Sequence, residues 1–238
     1  MEEQERDRDL LRYEPHAHTA EISRCAKMPA AQMVRQVKEA GYDPLVVTDH
    51  FDPEFFDGCQ RGPAYRSRLE DFFAGYRAAA EEGRRLGLLV LPALELRNVF
   101  GMEDFLIYGL TQEELGEMDC PCFLPLNRTL SLVRQAGGLL FQAHPFREYL
   151  RCMPAACMDG VEVVNANPRH DSHNDRALAF ARENGLLRVA GSDVHQLGDA
   201  GAAGILAPYA RDGKALAELL RQGRHRCFQR ERGVERRV

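Results

Sequence analysis

Short runs of Val, Ile and Leu recur along the chain, and nearly every candidate ligand among its histidines, aspartates and glutamates falls immediately after one. His16 and His18 follow the run at residues 10–15, Asp49 and His50 follow 44–48, and Glu95 lies at the end of LLVLPALEL. His144 ends LLFQA, and Asp193 with His195 follows LRVAGS. Segments of helical spacing at 29–40, 65–86, 125–136, 173–184 and 214–221 separate these runs. Strand–helix alternation of this kind predicts an α/β fold built on parallel strands. In a barrel of parallel strands the C-terminal ends share one face, so residues nearly two hundred positions apart are expected to meet there.

Punctuation agrees with the periodicity. Pro29 opens one helix and Gly41 stops it, the usual asymmetry of helix ends. Residues 98–101 read as a turn and 104–110 as a strand, a hairpin excursion from the regular alternation. Further strands are expected at 160–164, 187–190 and 204–206. No linker, repeat or low-complexity tract interrupts the pattern. One domain over residues 1–238 is therefore expected, with the polar ends 1–9 and 230–238 flexible.

Composition removes several classes of function. A net charge of −5 sets a general field that repels nucleic acid and anionic membranes. The opening MEEQERDRDL is charged throughout, and no apolar stretch reaches membrane-spanning length, so a cytoplasmic location is expected. Seven cysteines, an odd and scattered set, suit reduced thiols rather than a disulfide framework. The spacing of Cys120, Cys122, Cys152 and Cys157 does not match a zinc knuckle.

The histidines carry the chemical signal. Residues two apart on an extended backbone point the same way, so His16 and His18 can reach one ion, as can Asp193 and His195. A single histidine is most often a hydrogen-bonded core or surface residue. Here five of the eight histidines sit at strand ends beside Asp or Glu, while His170, His173 and His225 do not. Burying so many titratable groups together is too costly unless a cation compensates.

These residues resemble the signatures of the PHP family, named for polymerase and histidinol phosphatase. The matches are HAHT at 16–19, TDH at 48–50, PALEL around Glu95, AHP at 143–145 and GSDVH at 191–195, in order across residues 11–206. The resemblance implies a distorted TIM-like barrel of about seven strand–helix units, the (β/α)7 PHP fold. It also implies two or three divalent ions, zinc, manganese or iron. Carried over by position, His16, His18, Glu95 and Asp193 hold one ion, Glu95 bridges to a second held by His144, and His50 with His195 holds a third. The chain departs from the family pattern twice. No histidine stands near Phe105 in EDFLIYGL, and AEISRC leaves only Glu21 or Cys25 as a donor beyond HAHT.

The expected activity is hydrolysis of a small phosphomonoester, of histidinol-phosphate or nucleotide type, by attack of metal-bound hydroxide. Asp49 is the candidate catalytic carboxylate, orienting a ligand imidazole. Arg147 and Arg169 follow strand ends and are candidates to fork onto phosphate oxygens. Asn165 and Asn167 are placed on the same rim, and Glu162, inside a strand, is read as supporting. Residues 51–63 and 147–159 are expected as lids, with Phe51, Phe55, Phe56 and Tyr149 available to stack on a substrate. Two other readings compete: a metal hydrolase of amidohydrolase type, disfavoured because no lysine lies at a strand end, and a catalytically reduced metal-binding module.

Overall fold

The computed structural model describes residues 10–231 and 234–238; the stretch 1–9, expected to be flexible, lies outside the described residues. Strand β1 (Leu11–Ala17) leads to helix α1 (Ala30–Glu39), β2 (Leu45–Val47) and the two-residue β3 (His50–Phe51). Helices α2 (Gly62–Phe72) and α3 (Ala74–Leu86) precede β4 (Val90–Pro92), β5 (Leu94–Arg97) and β6 (Asp104–Tyr108). Then come α4 (Gln112–Glu117), α5 (Leu126–Gln135), β7 (Leu139–Gln142), β8 (Gly160–Asn165), α6 (Asn174–Glu183) and β9 (Leu187–Gly191). The chain closes with β10 (Ala203–Ala207), α7 (Gly213–Arg221), β11 (Arg226–Glu231) and β12 (Val234–Arg237).

One sheet runs β12-β11-β10-β1-β2-β4 and the other β3-β5-β6-β7-β8-β9. They are continuous on one side, where β2 passes into β3 and β4 into β5; the Ala93 N–H donates to Val47 O (2.9 Å) and the Glu95 N–H to Asp49 O (3.0 Å). On the other side Ala17 forms a single parallel bridge with Val194. Two backbone bonds flank it, His18 N–H to Val194 O at 2.9 Å and Val194 N–H to His16 O at 3.1 Å. Pro15 sits where the pairing of β1 with β2 shifts register, a place that tolerates a missing N–H. Glu14, fully buried, reaches across to accept from the Ser192 N–H at 2.9 Å. Burial pushes its carboxyl up to about 8, against the hydrogen bonds from Ser192 and His16.

The mixed α/β class with parallel strands is the one expected. Its irregularity is local: β5, β6 and β7 pair antiparallel, as do β10, β11 and β12. The polar tail corrects an expectation, because residues 234–237 form an edge strand instead of fraying. Glu235 accepts from Arg12 Nε of β1 at 3.2 Å, which ties the tail down, and a charged strand suits a sheet edge. The short α4 was not expected, although Thr111 and Glu114 form the capping box that announces it. The aromatic lid is also a correction. Phe51 and Phe56 are fully buried, with ring centroids 4.1 Å apart, and Phe51 packs edge-on against Phe72 at 5.0 Å. They fill the core beneath the rim; Phe55 is half-buried, edge-on to Phe56 at 5.1 Å, and Tyr149 is exposed.

The expected single helix over 65–86 is two, broken at Phe73. The break seats Gly75 directly against the end of β1. A Cβ placed there would lie 2.1 Å from Thr19 Oγ1 and 2.7 Å from Asp49 Oδ2. Those atoms cannot swing away freely, since Thr19 donates to both Asp49 oxygens at 2.7 Å. Gly75→Ala is therefore expected to destabilise the protein by about 1–3 kcal/mol, the range for overpacking a filled interior. Urea unfolding measures it, and unchanged stability would show that this contact is soft.

Candidate metal centre

Five of the seven expected ligands are almost fully buried: His16, His18, Glu95, His144 and Asp193. The side chains of His50 and His195 are 20% and 14% exposed and mark the open side. Glu95 is the hub. One of its oxygens lies 3.3 Å from His16 Nε2 and 3.2 Å from His144 Nε2. The other lies 3.4 Å from His18 Nε2 and 3.1 Å from His50 Nδ1. Asp193 Oδ1 faces the same space, 3.4 Å from His16 Nε2, 3.4 Å from His18 Nε2 and 3.2 Å from His195 Nδ1. The strand ends thus bring all seven residues together, as expected from the chain order.

Electrostatics divide the imidazoles. Burial opposes charge on His16, but the carboxylates of Glu162, Asp193 and Glu95 outweigh it and hold the ring well above its usual value. His18 goes the other way: burial and the neighbouring His195 and His50 press it well below. Its ring centroid is only 4.3 Å from that of His195 and 4.5 Å from that of His50. For His50 and His195 burial is again outweighed, by Glu95 and Asp193 respectively, and they rise to about 9 and about 10. Burial would raise Glu95 and Asp193, but their histidine neighbours, His16 foremost, hold both carboxyls well below the usual range.

A second layer fixes these groups. Glu162 Oε1 meets His16 Nδ1 at 2.8 Å, while its Oε2 accepts from the His144 N–H at 3.0 Å and from Asn165 Nδ2 at 2.9 Å. This is the supporting role read from its place inside a strand. Asn165 and Asn167 both donate to Asp193, the latter to its carbonyl at 3.1 Å. Arg147 donates to Asn165 Oδ1 and to Asp193 Oδ2, each at 2.9 Å, and so lies at the centre. Asp49 touches no histidine. Its oxygens are taken by Thr19 and Ser23, and it acts on His18 only through Ser23 Oγ, 3.3 Å from His18 Nδ1. Arg169 forks onto Asp199 at 2.8 and 2.7 Å, and Asp199 in turn accepts the His195 and Gln196 N–H groups. Arg169 thus braces a loop and is committed away from the carboxylate cluster, unlike Arg147.

Of the two departures from the family pattern, one is answered by a residue nearby. The place lacking a histidine beside Phe105 is filled by Asp104, whose Oδ2 is 4.0 Å from His144 Nε2. Arg97 grips it at 2.8 and 2.7 Å. The usable sign was an acidic residue opening an apolar strand; a search for histidine alone passes it by. Beyond HAHT, Glu21 caps α1 by accepting from the Ala30 N–H and is not a donor to the cluster. Cys25 Sγ stands 3.1 Å from His195 Nε2, but no metal-capable group among the described residues includes it. The four cysteines at 120, 122, 152 and 157 enter no metal-capable group among the described residues.

Three groups of donor atoms lie within ion-binding range of one another: His16, His18 and Glu95; Glu95, Asp104 and His144; and His18, His50 and His195. His16 Nε2, His18 Nε2 and His144 Nδ1 are buried with no hydrogen-bond partner. Buried ring nitrogens are rarely left this way, and a mixed imidazole and carboxylate set is one that divalent ions accept. The residues therefore fit a metal. The backbone supports the arrangement under strain, since His144 and Asp193 adopt φ values of 30° and 54°.

Residues 171–225 match the PHP-associated family PHP_C. No curated protein matches the sequence. Among solved structures, a two-domain Bacteroides vulgatus protein containing a predicted PHP-like metal-dependent phosphoesterase superposes with a TM-score of 0.66 at 17% identity, covering 92% of this chain and 65% of that one. This chain thus spans just under two thirds of that relative. PsfC from Pseudomonas syringae gives 0.65 at 20% identity, covering 88% of each chain. An amidohydrolase from Chromobacterium violaceum, solved with bound sulfate and no metal, gives 0.55 at 15%, covering 90% of this chain and 96% of that one. Likeness at these identities is likeness of fold. Together, the shared fold, the PHP-associated segment and the five ordered motifs support a PHP-domain family for this chain.

Proposed function

We propose that the protein is a metal-dependent hydrolase that cleaves a small phosphomonoester, of histidinol-phosphate or nucleotide type. The observation that carries this reading is Glu95, a buried carboxylate faced by His16, His18, His50 and His144 with ring nitrogens left unpartnered. Three positions follow: His16, His18, Glu95 and Asp193; Glu95, Asp104 and His144; and His50 with His195. Divalent ions bound there supply charge neutralisation for the phosphoryl oxygens and lower the pKa of water.

The chain's own groups do the rest. Glu162 fixes the tautomer and tilt of His16 and the backbone of His144. Arg147, its side chain 15% exposed, offers a guanidinium beside Asp193 where a phosphate oxygen can meet it. The two partly exposed imidazoles, His50 and His195, leave the approach for substrate on their side. Neither a membrane nor a nucleic acid is the proposed partner; no helix among the described residues is long and apolar enough to cross a membrane. Hydrolysis of a C–N bond, as in barrels bridged by a modified lysine, fits less well. Lys38 and Lys214 are engaged with Gly87 and Glu114 elsewhere, and the only other lysine, Lys27, is exposed.

The direct test is a panel of phosphomonoesters, phosphodiesters, amides and lactones with added zinc, manganese or iron. Phosphomonoesters should turn over best, and turnover of amides alone would overturn the reading. Glu162→Gln should cost roughly 10- to 100-fold in activity or metal affinity, the usual effect of freeing a ligand's supporting partner. Isothermal titration and steady-state kinetics would measure this, and an unaffected variant would contradict the positioning role.

The stability of the chelated protein and the stabilisation added by metal should depend on pH in opposite senses. In chelated protein His50 and His195 sit at about 9 and about 10, above the ordinary 6.5. A raised histidine stabilises the fold fully below the unfolded value, and that contribution is lost as pH climbs through the folded value. The melting temperature of chelated protein should therefore fall between about pH 6.5 and 10. With zinc present the ligands must be deprotonated, so the metal-dependent gain in melting temperature should grow over the same range. Parallel melts across this range, with chelator and with zinc, decide it.

A further inference from the structure

We propose that Glu14 is a positioning residue for the metal centre: one of its oxygens fixes the backbone of Ser192 and His16, and so holds Asp193 and His16 where they can share an ion. This rests on the metal reading above and adds a residue that none of the three donor groups contains. Glu14 Oε1 accepts the Ser192 N–H at 2.9 Å and the His16 N–H at 3.3 Å. A single buried atom thus joins the end of β1 to the turn after β9. Ser192 immediately precedes Asp193, whose φ of 54° lies in the left-handed region. A residue with a side chain stays there only where its surroundings over-determine it.

Strand pairing does not supply this restraint. Strands β1 and β9 belong to different sheets, and among the described residues the one ladder pairing across their junction is Ala17 with Val194. Side chains close the rest. Ser192 is anchored from its far side as well, its Oγ donating to Ala203 O and accepting from the Ala202 and Ala203 N–H groups, each at 3.2 Å. Gly191 lets the junction close up, since a Cβ there would lie 2.6 Å from that of His16 and 3.3 Å from Glu14 Oε1. Glu14 and Ser192 are fully buried, so solvent cannot take the place of the lost acceptor. Without it the Ser192 N–H is an unsatisfied buried donor, which the chain relieves by shifting the turn that carries Asp193. Glu14 Oε2 has no hydrogen-bond partner. One acceptor atom therefore performs the task, and an amide oxygen can replace it.

Two variants of the full-length chain separate positioning from bulk: E14Q keeps the acceptor oxygen, and E14L keeps the size without it. Zinc affinity is read by competition with a chromogenic chelator, and ligand geometry by the visible absorption of bound cobalt(II). E14Q should bind zinc within about threefold of the native chain, and E14L roughly 10- to 100-fold more weakly, the usual loss when a partner that orients ligands is removed. The cobalt bands should shift in E14L and not in E14Q. Should E14L fail to fold, the native chelated protein decides: amide hydrogen exchange at Ser192 and His16 should be at least about a hundredfold slower than in an open chain. Unprotected amides, equal weakening in both variants, or native affinity and cobalt bands in E14L overturn the proposal and leave the metal reading standing. A native chain that binds neither zinc nor cobalt overturns both.

Discussion

A carboxylate buried among four imidazoles is the constraint from which the rest of this structure follows. Glu95 has almost no contact with solvent, and every group able to balance it comes from a different part of the chain. Charges so placed are tolerable only if each is paired and each hydrogen-bonding position is filled. Glu162, Asn165, Asn167 and Ser23 fill those positions around the histidines and around Asp193, with Asp49 behind Ser23, and none is near the surface. Packing is equally tight here: just past the helix break at Phe73, the Gly75 backbone lies against Thr19 and Asp49 with no room for a Cβ.

The sequence was most legible where physics is periodic. Apolar runs ending in ligand-type residues announced both the strands and the convergence of His16, His18, His50, Glu95, His144, Asp193 and His195. It was least legible where a residue's task depends on a partner far along the chain. Arg147 and Arg169 look alike in sequence, each following a strand end, yet only Arg147 reaches Asp193 because Asp199 captures the other. Asp104 and Phe105 are adjacent, and which one faces the centre is settled by the antiparallel register of β5 with β6, Arg97 opposite Asp104. The phenylalanines at 51 and 56 read as available to a lid; the nearby Phe72 and Tyr65 hold them in the core.

The antiparallel excursion has a functional consequence. A regular wind of parallel strands would put a helix after β5 and carry the chain away from the centre. Folding straight back through β6 instead returns the chain beside Glu95 and presents Asp104 and its clasping Arg97. The irregular part of the fold thus supplies a donor, within a fold shared over most of the chain with proteins of under a quarter identity. Shared frames of this kind host different chemistries, so the local departures are where substrate choice is to be sought.

The backbone at His144 and Asp193 sits in the left-handed region, which costs a residue with a side chain on the order of 1–3 kcal/mol. Glycine would relieve the tension at either position. An engineer who screened variants of this protein for heat resistance alone, in the presence of a chelator, would therefore be rewarded for erasing the very residues that make it useful. Any campaign to harden the scaffold has to keep the ion in the buffer, so that ligand loss registers as a defect.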